Sequence, residues 1–231
     1  MLILFDVDAT LITTARAGIA AMGRAGRDMF GAGFDESRVE YAGRLDPLII
    51  ADLLTAHQIE VSPASMQAFR DAYGHHLRAL LTGSDLAKPC PGVPKLISLL
   101  ETRADVTIGL LTGNFPETGR IKLLASGIDP DRFPIHVWGS DSPHTPPARQ
   151  HLPPVGMERY RVLRGRTVDA RKVTIVGDTP HDIACARAHG CRSLGVATGP
   201  YTIDALMSAG ADRAVATLEA SDDIARWLVD A

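Results

Sequence analysis

Residues 2–11 read Leu2-Ile3-Leu4-Phe5-Asp6-Val7-Asp8-Ala9-Thr10-Leu11, four apolar residues in a row followed by a turn that carries two aspartates. An uninterrupted apolar run of this length, bounded by polar residues, fits a strand buried on both faces, as in a parallel sheet. Successive side chains on a strand point to opposite faces, so a bend after Asp6 is needed for its carboxylate and that of Asp8 to share one small volume. At that range two carboxylates repel strongly unless a cation or a shared proton relieves them.

Two further segments have the same form. The run from Val106 to Leu111 ends in Thr112-Gly113-Asn114, which offers a hydroxyl, an open backbone N–H and an amide, a set suited to an anion. The run from Val173 to Val176 ends in Gly177-Asp178-Thr179-Pro180-His181-Asp182, with two carboxylates four residues apart and a proline placed to open a helix. In open α/β sheets ligands sit at the carboxyl ends of the strands. Acids, then hydroxyl and amide, then acids again describe one pocket that binds a divalent cation and an anion together.

Between the first acidic turn and the second such strand lie nearly a hundred residues, far more than one crossover helix needs. Apolar spacing predicts helices over 15–30, 46–57 and 62–81; in the last, Met66, Phe69, Tyr73, Leu77 and Leu80 recur at threes and fours. Ser62-Pro63 supplies an N-cap and a first-turn proline. The proline-dense stretch from Lys88 to Pro94 reads as the return linker, and residues 9–15 as the outward one. This predicts a core domain of residues 1–13 and 88–231 with a helical domain of 14–87 inserted. After the insert, helix and strand alternate to the end, so the expected fold class is α/β, a doubly wound, mainly parallel, Rossmann-like sheet with a small inserted α-helical domain.

The 231 residues are 45% apolar and 22% charged, which is ordinary for a folded globular chain and not for a disordered one. A net charge of −3 gives no electrostatic case for nucleic acid or an acidic membrane surface, and no apolar run approaches a membrane span. Cys90, Cys185 and Cys191 form neither a CxxC nor a Cys/His metal spacing and read as unreactive thiols. With an N-terminal apolar stretch too short for a signal peptide, the expected location is cytoplasmic. Oligomeric state has no signature in the sequence.

The order Asp6-x-Asp8-x-Thr10, then Thr112-Gly113-Asn114, then Gly177-Asp178-x-x-x-Asp182 resembles the haloacid dehalogenase superfamily, in its phosphatase branch. The three motifs span nearly the whole chain in the family's order, a combination more specific than any one of them. One position departs: the family usually has glycine where Ala9 stands, and the added methyl leaves the loop intact unless its backbone angle is strained. The resemblance implies a Mg²⁺-dependent phosphomonoesterase acting on a small phosphorylated metabolite, phosphoglycolate-like by analogy, with sugar phosphates and nucleotide monophosphates also compatible. It implies that Asp6 is the nucleophile and a metal ligand. Asp8 would be the general acid and base, its backbone carbonyl also on the metal. Asp178 would be a ligand, and Asp182 a ligand or an acceptor for metal-bound water. Thr112, Gly113 and Asn114 would bind the phosphoryl group. The insert would be a cap over the site, with Arg44 of Gly43-Arg44-Leu45-Asp46 facing the substrate or else solvated or paired with Asp46.

The family's basic residue has no plain Lys-Pro signature here. Arg149, at the end of a long loop and before an expected helix, is the choice. Lys122 and Arg159 are rivals, each inside an expected helix where a solvated charge is usual. Other chemistries of the superfamily are weighed by residue. A haloacid dehalogenase has no use for the Asp8 acid, and residues 1–87 hold no lysine for a Schiff base with a phosphonoaldehyde. A sugar phosphate mutase stays compatible, as does a non-catalytic phosphate-binding relative. A receiver-type signalling module would lack both the insert and the Asp6/Asp8 pair.

Overall fold

Strand β1 (Leu2–Phe5) is buried at every position because both of its faces are covered. Ile3 and Phe5 pack into one apolar layer with Leu96, Ile97 and Ile224, while Leu2 and Leu4 pack into the opposite layer with Leu152, Tyr160 and Ala186. The computed structural model describes residues 1–230. β1 pairs in parallel with β4 (Thr107–Leu111) on one side and β6 (Val173–Gly177) on the other, in a register that sets Phe5 level with Leu110 and Val176. β5 (Ile135–Val137) extends the sheet beyond β4, and β7 (Arg192–Val196) and β8 (Arg213–Val215) extend it beyond β6. The sheet has six strands in the order β5-β4-β1-β6-β7-β8, all parallel.

Helices α4 (Val93–Glu101) and α9 (Ser221–Val229) cover one face, and α6 (Leu152–Arg164) and α7 (Pro180–Arg187) the other. α5 (Pro116–Ala125) links β4 to β5, and α8 (Ile203–Ser208) links β7 to β8. The chain turns to one side of β1 and later to the other, so the crevice where strand order reverses opens at the carboxyl ends of β4, β1 and β6. Asp6, Thr112 and Asp178 each stand immediately after one of these strands.

The insert contains α1 (Ala17–Phe30), α2 (Asp46–Ala56) and α3 (Pro63–Leu81). It has its own apolar centre, in which Met22, Ile50, Leu53, Phe69, Tyr73 and Leu77 are buried together with Phe115 at the head of α5. α3 opens as its sequence predicts: Ser62 Oγ accepts from the Ser65 N–H at 3.2 Å, Ser65 Oγ accepts from the Ser62 N–H at 3.0 Å, and Pro63 holds the first helical position. The two linkers are not independent coils: β2 (Ile12–Thr13) and β3 (Lys88–Pro89) pair antiparallel, so outgoing and returning chain are tied at the root of the insert.

Ala9 adopts φ 54°, the left-handed region in which a Cβ meets the following carbonyl. The loop keeps this shape because the Ala9 N–H donates to the Ile12 carbonyl at 2.7 Å and the Ala9 carbonyl accepts from the Thr198 hydroxyl. The angle is therefore strained. Replacing Ala9 by glycine removes a cost of about 1–2 kcal/mol and adds about 0.4–1 kcal/mol of unfolded-state entropy. Ala9→Gly is expected to gain about 1 kcal/mol of stability in urea denaturation, and a loss would show that the methyl packs favourably.

Candidate active site

Two strand ends, those of β1 and β6, deliver the acidic groups. Asp6, Asp178 and Asp182 are all buried, and one carboxylate oxygen of each lies within 4.8 Å of the others. Glycines make this convergence sterically possible. A Cβ on Gly199 would stand 1.8 Å from Asp178 Oδ2, and one on Gly177 would stand 2.1 Å from Asp182 Cγ. Thr10, fully buried, directs its hydroxyl toward Asp178 Oδ1 at 3.5 Å.

Arg149 enters this cluster from the loop before α6. Its guanidinium is 3.0 Å from Asp6 Oδ1 and 2.5 Å from Asp182 Oδ1, and it also donates to the Gly43 carbonyl at 3.2 Å. Asp182 is the third residue of α7, and its other oxygen accepts from the Thr179 N–H at 3.1 Å and the Thr179 hydroxyl at 2.7 Å. Both oxygens of Asp182 are thus engaged by protein groups.

One guanidinium does not balance three buried carboxylates. Burial, then the charges of Asp6 and Asp182, push Asp178 up to about 8. Burial chiefly, opposed by Arg149, pushes Asp6 up to about 6. A site of hard oxygen donors with uncompensated negative charge fits a divalent cation of the Mg²⁺ type, which favours carboxylate oxygens over the nitrogen or sulfur donors absent here.

The loop after β4 forms the opposite wall. The Thr112 hydroxyl accepts from Asn114 Nδ2 at 2.8 Å, and among the described residues it donates to none. The Gly113 N–H likewise has no acceptor among them. Glycine is required at 113 because the insert's backbone presses on it: a Cβ there would lie 2.0 Å from the Arg44 carbonyl oxygen. The Gly113 carbonyl in turn accepts from the Asp46 N–H at 2.7 Å.

Asp8 has hydrogen-bond partners of its own. Its Oδ2 accepts from Asn114 Nδ2 and from Lys122 Nζ, both at 2.7 Å, and Lys122 Nζ also donates to Asn114 Oδ1 at 2.6 Å. Lys122 is therefore not the solvated helix charge expected of it. It is 5% exposed on the face of α5 turned toward the cavity. Burial opposes its charge, but Asp8 foremost more than offsets this and holds it protonated. Gly18 leaves the room, since a Cβ at 18 would stand 3.3 Å from the ammonium nitrogen. Arg159 lies outside, paired with Asp141 at 2.8 Å.

Arg44 lines the cavity, but its guanidinium pairs with Asp52 at 2.6 Å and not with Asp46. Asp46 is buried instead, where its Oδ2 accepts from the Phe115 N–H at 3.1 Å and the Thr118 hydroxyl at 3.2 Å. The insert thereby fastens to the head of α5, and Arg70 of α3 adds a bidentate pair with Glu117 at 2.5 and 2.8 Å. Burial, only partly countered by Lys122 and the Phe115 N–H, pushes Asp46 up to about 6. A carboxyl raised in the folded state from an ordinary 3.8 is destabilising while ionised, and the cost is relieved as pH falls through about 6. Asp46→Asn keeps an acceptor oxygen. It is expected to match or exceed wild-type stability at pH 7.5 and to lose ground relative to wild type at pH 5. A pH-independent difference in urea unfolding would refute this.

Together these groups enclose a cavity of about 530 Å³ between sheet edge and insert, lined beyond the charged cluster by Arg16, Tyr41, Ile49 and Tyr73. Its size suits a small-molecule ligand.

Residues 3–196 match the family described as haloacid dehalogenase-like hydrolase. The chain belongs to that family and is an enzyme of that hydrolase class. It is 28% identical over 208 residues to the phosphoglycolate phosphatase of Pectobacterium atrosepticum, spanning 84% of this chain and 79% of the relative. In fold it is similar to CbbY of Rhodobacter sphaeroides. The phosphate complex of that protein superposes with a TM-score of 0.75, and its xylulose 1,5-bisphosphate complex with 0.76, each at 19% identity over 94% of both chains. Among the described residues no helix is long and apolar enough to cross a membrane.

Proposed function

We propose that this enzyme hydrolyses phosphomonoesters of small metabolites through a phosphoryl group carried on Asp6. The observation that carries the reading is the meeting, at one cavity, of Asp6 and Asp178 with Asp182 buried beside them, Arg149, the unspent donors of Thr112 and Gly113, and the separately held carboxylate of Asp8.

An Asp6 oxygen attacks phosphorus, the bond from phosphorus to the ester oxygen breaks, and the alcohol departs with a proton from Asp8. Asp8, now ionised, takes a proton from the water that attacks the aspartyl-phosphate. Inorganic phosphate leaves and Asp6 is restored. Thr112 Oγ1 and the Gly113 N–H donate to the phosphoryl oxygens, with Asn114 holding that loop in shape. Arg149 orients the Asp6 carboxylate and offsets charge beside it. Mg²⁺, held by Asp6, Asp178 and the Asp8 carbonyl with Asp182 behind them, would screen the repulsion between carboxylate and phosphate.

In this reading residues 14–87 act as a cap on a core of 1–13 and 88–231, excluding water and meeting the part of the substrate beyond the phosphate through residues such as Arg44 and Tyr41. The kinship with a phosphoglycolate phosphatase supports a small phosphorylated acid as the first substrate to try, and the bisphosphate bound by the R. sphaeroides protein supports sugar phosphates as the second. The test is release of inorganic phosphate from phosphoglycolate, sugar phosphates and nucleoside monophosphates, with Mg²⁺ and with EDTA. Metal-dependent turnover is expected. A folded protein with Mg²⁺ that cleaves none of them would overturn the assignment.

A further inference from the structure

We infer that Lys122 is a positioning residue that fixes the orientation of the Asp8 carboxyl group, directly and through Asn114. The inference rests on the phosphatase reading and deepens it. Lysine has donors only, so the Asn114 atom facing Nζ at 2.6 Å must be the amide oxygen. That choice turns Asn114 Nδ2 toward Asp8 Oδ2 at 2.7 Å and Thr112 Oγ1 at 2.8 Å. Asp8 Oδ2 then accepts two hydrogen bonds, one from an ammonium and one from an amide whose orientation the same ammonium sets. The carboxyl group is thereby held in one orientation. Oδ1 accepts no hydrogen bond among the described residues and is the oxygen left free.

Lys122 does this from a buried position in α5. Gly18 at the start of α1 keeps the space open for it, and Tyr73 and Asp46 of the insert stand around it. In the step this serves, the ester oxygen keeps the electron pair of the broken bond to phosphorus and takes its proton from the Asp8 carboxyl group.

Leaving groups separate this role from others. An alkyl alkoxide needs the proton as it departs, whereas p-nitrophenolate departs without one. The experiment measures kcat/KM, which reports the step that forms the phosphorylated Asp6, on the best alkyl phosphate of the panel and on p-nitrophenyl phosphate, for wild type and Lys122→Met. The alkyl ester is expected to lose about 100-fold and the aryl ester less than about 5-fold, within the range of general acid catalysis. Both esters are assayed on one sample, so a lowered folded fraction cancels in their ratio. Should Lys122→Met fail to fold, Asn114→Ala removes the other donor to Oδ2 and is expected to move the ratio the same way. Equal losses on the two esters would overturn the inference and leave Lys122 a phosphate-binding or purely structural cation. A wild type inert on both would overturn the phosphatase reading itself, and the inference with it.

Discussion

Asp6→Asn is expected to lower phosphatase turnover by about 10⁴-fold or more while the protein stays folded and becomes no less stable. An amide is a far weaker nucleophile than a carboxylate, and loss of an attacking group costs close to the whole of covalent catalysis. The stability half follows from charge. Asp6 is buried beside two other acids, and burial opposed by Arg149 still leaves its carboxyl at about 6, so at pH 7.5 the ionised form is a liability in the fold. Asparagine removes that liability and leaves Arg149 paired with Asp182. Retained activity would dismiss Asp6 as the attacking group. Lost activity together with lost stability would point to a structural role. The pairing of lost catalysis with kept or raised stability is the signature of a functional site.

The second large effect is expected at Arg149. Its guanidinium is buried and joins Asp6, Asp182 and the Gly43 carbonyl of the insert. Arg149→Met leaves three buried carboxylates with no cation from the protein, and breaking a buried pair from one side costs about 3–5 kcal/mol. The loss should be greatest in EDTA and smaller with Mg²⁺ present, since an ion bound only by the folded state offsets it. Turnover should fall by about 10²–10³-fold, as for loss of one charge-stabilising donor. Arg149→Lys is expected to recover little, because a single ammonium cannot span both carboxylates and the Gly43 carbonyl. Unfolding curves in EDTA and in Mg²⁺ that shift equally would contradict the charge argument.

The parts of the site that stand at strand ends are legible in the sequence because two signals coincide there. An apolar run marks the strand, and the first polar residue after it marks the crevice, so Asp6, Thr112 and Asp178 stand out in the chain itself. Arg149 is legible for a related reason, as a cation at the end of a turn-rich loop. Lys122 is not. The buried stripe of α5 is made of Thr118, Gly119, Lys122 and Leu123, so its inward face is largely polar or small and its outward face includes the exposed Leu124. Hydrophobic periodicity assigns faces only when the inward one is apolar. The same blindness hides Asp46, whose burial depends on the Phe115 N–H and Thr118 hydroxyl, supplied by residues about 70 positions away in the chain. Proximity in the chain also suggests Asp46 as the partner of Arg44, where space pairs it with Asp52, two turns along the outer side of α2. Ala9 shows the reverse case. Its departure from glycine is plain in the sequence, but only the backbone angle reveals the strain that the loop tolerates.

The central claim is that the phosphoryl group passes through Asp6. It is tested most directly by mixing Asp8→Asn with p-nitrophenyl phosphate and Mg²⁺, quenching in acid, and locating added phosphoryl mass by peptide mass spectrometry. The aryl ester transfers its phosphoryl group without an acid, while breakdown of the aspartyl-phosphate lacks its base, so the intermediate should accumulate. The account predicts one phosphoryl group on the peptide that contains Asp6. Release of p-nitrophenol with no covalent phosphate at Asp6, or with phosphate on another residue, would contradict it.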